Sequence, residues 1–197
     1  MKRILLIAIA AVAVLFAAVV MTHINNVPKL DEAVNASWAQ VQNQYKRRAD
    51  LVPNLVATVK GYASHEKEVL TDVVEARAKV GEMQISPEIL NSPDAMKQFE
   101  ASQNALGSAL SRLLVVVERY PELKADKNFQ ALQSQLEGTE NRIAVARRDY
   151  IATVQKYNVE LRTVPGRWVA AIFYPDAKTK ESFSAAPAEQ EAPKVLF

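Results

Sequence analysis

Apolar residues recur along most of this chain at alternating steps of three and four. Val52, Leu55, Val59, Tyr62, Glu66, Val69, Val73, Ala76, Val80 and Met83 form one such stripe, interrupted by a carboxylate. Met96, Phe99, Gln103, Leu106, Leu110, Leu113, Val117 and Tyr120 form a second. Phe129, Leu132, Leu136, Thr139, Ile143, Ala146, Tyr150, Thr153 and Tyr157 form a third, and Leu30, Val34, Trp38, Val41 and Tyr45 start the pattern earlier. A step averaging about 3.5 keeps one face of each helix toward its partners, as in a coiled coil or an up-and-down bundle.

Punctuation agrees with helices. Ser92-Pro93-Asp94 supplies a cap, a preset backbone angle and an acid at the positive helix end. Pro121 closes one stripe and Asp126 caps the next. At Pro53 a turn is favoured over a kink, because helices of comparable length bury their stripes best. The expected fold class is all-α, an antiparallel up-and-down bundle of about four helices behind an N-terminal transmembrane helix.

That first helix is read from residues 4–21, eighteen positions without a charged or strongly polar side chain. As a helix the run is about 27 Å long, close to the hydrocarbon thickness of a bilayer. A cleaved secretory signal would have a shorter apolar core and a small-x-small site, so an uncleaved anchor is favoured. Lys2 and Arg3 precede the run, which by the positive-inside rule keeps the N-terminus cytoplasmic and the body outside. The expected division is a basic N-terminus (1–3), an anchor (4–22), a bundle (27–163) and an aromatic segment with an extended, partly disordered tail (164–197). The expected location is the inner (cytoplasmic) membrane, crossed once.

Composition narrows the chemistry. No cysteine is present, which removes disulfides, thiolate metal sites, cysteine nucleophiles and a lipid-modified cysteine. With 24 basic and 22 acidic residues the charge is nearly balanced, and no nucleic-acid partner is expected. His65 beside Glu66 lacks the second histidine of a zinc motif, and no phosphate loop or nucleophile elbow appears. No catalysis, cofactor or metal is therefore expected.

A few residues stand out against that background. Glu66 occupies a stripe position, so it needs a partner or a place at the rim. Arg112 is the expected partner, as a register-setting ion pair; the sharper reading is a polar binding site or switch. Lys46, Arg47 and Arg48 read as a solvated helix end, or as contacts to anionic headgroups if the bundle folds back on the membrane. Tyr45, Tyr62, Tyr150 and Tyr157 read as core or edge residues, with a ligand pocket as the alternative.

Longer segments carry a resemblance. Tyr45-Lys46-Arg47-Arg48-Ala49-Asp50-Leu51-Val52-Pro53-Asn54-Leu55, His65-Glu66, Ala76-Arg77, Pro121-Glu122-Leu123-Lys124-Ala125 and Leu136-Glu137-Gly138-Thr139-Glu140-Asn141-Arg142-Ile143 together resemble the LemA family. Tyr157-Asn158 and the ending Pro193-Lys194-Val195-Leu196-Phe197 complete the match. The resemblance implies a bacterial protein with an N-terminal membrane helix and an antiparallel helical bundle, and it carries over no catalytic residue. It also implies a short extracellular N-terminus, opposite to the charge argument. The stretch Val164-Pro165-Gly166-Arg167-Trp168 departs from the family's usual pattern.

The functional expectation is a membrane-anchored scaffold or adaptor of the cell envelope, acting by protein–protein interaction. The alternative is a ligand-binding or enzymatic bundle with Glu66 as its key acid. Partners expected are the lipid bilayer and an envelope protein. At the chain end, Phe197 and its carboxylate suit capture by β-augmentation in a PDZ-type groove, such as that of an envelope protease. The plainer expectation is that Phe197 packs on the bundle or does nothing.

Overall fold

The computed structural model describes residues 2–83 and 87–183. Helix α1 spans Lys2–His23, α2 Asn26–Tyr62, α3 Lys67–Glu82, α4 Pro93–Val117, α5 Pro121–Ala125, α6 Lys127–Arg162 and α7 Gly166–Phe173. A 3-10 turn, Pro87–Asn91, precedes α4, and no strand occurs among the described residues. Four long helices therefore form the bundle, and α1 projects from one end of it.

The direction of each helix follows from its contacts. Ser37 meets Thr153 and Arg48 meets Glu140, so α2 and α6 are antiparallel. Asp72 meets Arg112 while Met83 meets Ser102, so α3 and α4 are antiparallel too. The two expected caps are present: the Ser92 hydroxyl accepts from Ala95 N, and Asp126 Oδ1 accepts from Phe129 N at 2.9 Å. Pro121 opens the short α5 rather than merely ending α4.

The expectation of a turn at Pro53 is overturned. Pro53 lies inside a continuous 37-residue α2, and the chain reverses instead across Ala63, Ser64, His65 and Glu66. Proline lacks the N–H that would bond the carbonyl four residues back, here Ala49 O. Arg77 of α3 supplies the missing donor, its Nε donating to Ala49 O at 3.1 Å. A tertiary contact thus satisfies the group that the local rule leaves bare. Arg77→Ala is expected to cost about 1 kcal/mol, the usual worth of such a bond. In a Pro53→Ala background the restored amide takes Ala49 O, so the same change should cost less than half as much. Equal costs in chemical denaturation of the two backgrounds would show that Arg77 does not compensate the proline.

Two apolar clusters fill the bundle. The one nearer α1 gathers Val34, Trp38, Tyr45, Phe99, Ile143, Tyr150, Val154, Tyr157 and Phe183. The distal one gathers Val52, Leu55, Val59, Val73, Leu106, Leu113, Leu123, Phe129 and Leu136. Burial lifts the Tyr150, Tyr157 and Tyr45 hydroxyls above the usual phenol range, so these three are core residues. Tyr62 is an edge residue, its exposed hydroxyl donating to Asp126 Oδ2.

The segment after α6 holds a helix that the sequence reading did not assign. Val164 to Phe173 includes α7, and residues 174–183 run back along the bundle without regular structure. Asn158 holds them as a strand would: its Oδ1 accepts from Lys180 N and its Nδ2 donates to Lys180 O. Glu181 N donates to Leu90 O, and Lys180 Nζ pairs with Asp31 at 3.0 Å. Phe183 then enters the core beside Trp38, Phe99 and Tyr150. Phe197, expected to suit a PDZ-type groove, lies outside the described residues.

Candidate functional site

A polar layer separates the two apolar clusters. On α2, Arg48 stands between Tyr45 and Val52; on α4, Gln103 stands between Phe99 and Leu106; on α6, Thr139 and Glu140 stand between Leu136 and Ile143. Arg48, Gln103 and Thr139 therefore fall on the inward stripe of their helices, three or four residues from an apolar neighbour, and Glu140 flanks it. Arg48 and Gln103 are 4% and 2% exposed. A guanidinium buried so deeply must be matched by acceptors.

The acceptors are there. Arg48 Nη2 donates to Gln103 Oε1 at 2.6 Å and to Gln103 O at 2.8 Å. Arg48 Nη1 donates to Glu140 Oε1 at 3.1 Å and more loosely to Oε2. The same guanidinium lies 5.0 Å from the centre of the Tyr45 ring. Its Nε is buried without a hydrogen-bond partner among the described residues. Gly107 leaves room beside Nη1, where an added Cβ would only touch it, at 3.7 Å. Thr139 turns inward but satisfies itself on Gln135 O within α6.

A cleft of about 560 Å³ opens over this layer between α4 and α6. Arg48 and Tyr45 are at its floor, Asn104, Ser108 and Ser111 on the α4 wall, and Glu140 and Arg147 on the α6 wall. Arg147 leans toward Glu100 at 3.8 Å and stacks over the Phe183 ring at 4.3 Å. The Tyr45 hydroxyl is held above its usual range by burial, partly offset by Arg147 and Arg48. What the cleft offers is hydrogen bonding and positive charge. No cluster of three His, Asp or Glu side chains able to hold a metal occurs among the described residues.

The other residues singled out from the sequence are dispersed. Glu66 stands just before α3 at the distal end, where it pairs with Arg119 Nη2 and accepts from the Tyr120 hydroxyl, each at 3.0 Å. Arg112, expected as its partner, pairs with Asp72 on the surface instead, because the reversal at residues 63–66 puts Glu66 beside Arg119 and Tyr120, about two turns beyond Arg112. The hydrogen bond to Glu66 raises the Tyr120 hydroxyl, and the bond from Phe129 N holds the Asp126 carboxyl low. Arg47 and Lys46 are exposed in the middle of α2. They are not a helix end, for they lie inside α2, about 35 Å along it from its junction with α1. Arg48 parts company with them, since one step of about 100° turns it inward.

Three features were missed by reading the sequence. Glu140 and Arg147 flank the stripe and carry no signal of their own until α2 and α4 are packed against α6. At the end nearer α1, Glu160 accepts from His23 Nδ1 at 3.1 Å and from Asn26 Nδ2, while the Tyr174 hydroxyl donates to Ile24 O at 2.8 Å. These contacts tie the junction of α1 and α2 to the end of α6 and the residue after α7.

Comparison with known proteins gives one coherent picture. A sequence signature described as the LemA family matches residues 37–197. Magnetosome protein MamQ 2 of Paramagnetospirillum magneticum is 28% identical over 192 residues, covering 89% of this chain and 70% of the relative. Magnetosome protein MamQ of Magnetospirillum gryphiswaldense is 25% identical over 175 residues, with 81% and 64% covered. Protein LemA of Metamycoplasma hominis is 25% identical over 134 residues, with 68% and 56% covered.

Proposed function

The chain belongs to the LemA family, and from that premise we propose that it is a single-pass, membrane-anchored adaptor of the bacterial envelope, binding partner proteins through its bundle. The observation that carries the reading is α1. Its large apolar side chains face away from the protein, with Ile4 at 73%, Leu15 at 68% and Met21 at 78% exposure. Water would not tolerate so continuous an apolar surface, whereas a bilayer solvates it. Lys2 and Arg3 support an N-terminus on the cytoplasmic side and a bundle on the outer face of the inner membrane.

The interaction role is supported by the shape and lining of the body. The cleft over Arg48 and a second groove of about 670 Å³ between α2 and α3 offer donors and acceptors near exposed apolar atoms. Such mixed surfaces suit recognition of another polypeptide. A photo-activated crosslinking residue at Ser108, in intact membranes, tests it. Discrete adducts with another envelope protein that has an extracytoplasmic part are expected. Adducts with this chain alone, under conditions that capture known envelope complexes, would contradict it.

A further inference from the structure

Helix α7 is apolar on nearly all sides, and Arg167 is its single charge. Gly166, Val169 and Ala170 are buried inward. The outward face would be polar if it met water, as on any amphipathic surface helix. Instead it presents Trp168 at 52%, Ile172 at 62% and Phe173 at 46% exposure, and Val164 beside it stands at 58%.

This face is continuous with the span. A groove of about 310 Å³ between α7 and α1 is lined by Val12, Phe16 and Val20 on one side and Pro165, Trp168 and Ile172 on the other. From Val12 to Val20 the rise along α1 is about 12 Å, most of one leaflet's hydrocarbon depth of about 15 Å. The Tyr174 bond to Ile24 O fixes the C-terminal end of α7 at the foot of the span. Gly166 fixes the other end against α6: a Cβ there would lie 2.4 Å from Glu160 O, so only glycine allows the approach. Arg162 and Arg167 are exposed, and their side chains are long enough to snorkel toward phosphates.

We infer that α7 and the corner before it are embedded beside α1 in the leaflet on the body's side, with acyl chains covering Val164, Trp168, Ile172 and Phe173. The inference rests on α1 being a membrane anchor. It gives the bundle a second attachment, which fixes its tilt and rotation on the membrane where a lone span would leave both free. Tryptophan suits such a place, having an apolar ring and a donor for the interface.

Because the chain has no cysteine, single probes can be placed at will. Three full-length variants, Ile172→Cys, Leu15→Cys and Val115→Cys, each carry one fluorophore in vesicles of phosphatidylethanolamine and phosphatidylglycerol. Some of the acyl chains bear a nitroxide quencher. Val115 is 71% exposed on α4 and serves as the aqueous control. Quenching of several-fold at 172 and at 15, with none at 115, is the expected result. Quenching at 15 but not at 172 overturns this inference and leaves the anchor standing, for then protein or water covers α7. No quenching at either position overturns both, and quenching at 172 alone removes the shared placement beside α1.

Discussion

Replacing Arg48 by alanine is expected to destabilise the bundle by about 3 kcal/mol, far more than the loss of its ion pair. The change strands one buried oxygen, Gln103 Oε1, which Arg48 now serves at 2.6 Å, and takes the second donor from Gln103 O, which keeps its bond within α4. An unsatisfied buried acceptor costs about 1–3 kcal/mol, and the emptied volume adds a cavity term. Glu140 contributes less, because its side chain is 46% exposed and recovers water when the arginine goes. Glu140→Ala should therefore cost under about 1 kcal/mol. Lysine at 48 should rescue little, since a point charge cannot serve both helices with the fork of a guanidinium. A combined Arg48→Met and Gln103→Leu change should regain most of the stability by joining the two apolar clusters. Thermal and denaturant melts of the detergent-solubilised full chain provide the measurement. A similar loss for Glu140→Ala and Arg48→Ala would mean that the charge pair, not the buried acceptors, carries the layer.

Phe183→Ala is the second large effect, expected at about 3–4 kcal/mol by the usual cost of truncating a buried phenyl ring. The ring centre is 5.4 Å from that of Tyr150, 6.0 Å from Trp38 and 6.5 Å from Phe99, with the Arg147 guanidinium above it. Part of the loss should appear locally, as release of residues 174–183 rather than global unfolding. Trp38 emission should shift to the red as its neighbour leaves, and a protease should cut near Lys178 or Lys180. An unchanged melt with unchanged emission would mean that the segment merely rests on the bundle.

The helices were legible because their inward faces repeat at the helical period, and that signal survives without tertiary knowledge. Their ends were less so. Pro53 looked like a boundary because its missing donor is a local fact, whereas the Arg77 donor that offsets it comes from a helix not yet placed. Glu66 sat in phase with a stripe that in reality ends at Tyr62, so the carboxylate at the turn passed for a core residue. The clue to Arg48 was present: it is three residues after Tyr45 and four before Val52, on the stripe itself. Its membership of a run of three basic residues hid that phase. Residues 174–183 gave no periodic signal at all, since their order comes from side-chain bonds such as those of Asn158, and only packing reveals these.

Everything proposed about function depends on α1 remaining attached and in the bilayer. Alkaline carbonate extraction of membranes from bacterial cells making the full chain, with mass determination of the recovered protein, tests this most directly. The account predicts a chain retaining residues 2–23 in the membrane pellet. Release into the supernatant, or a mature protein beginning after residue 22, would contradict it.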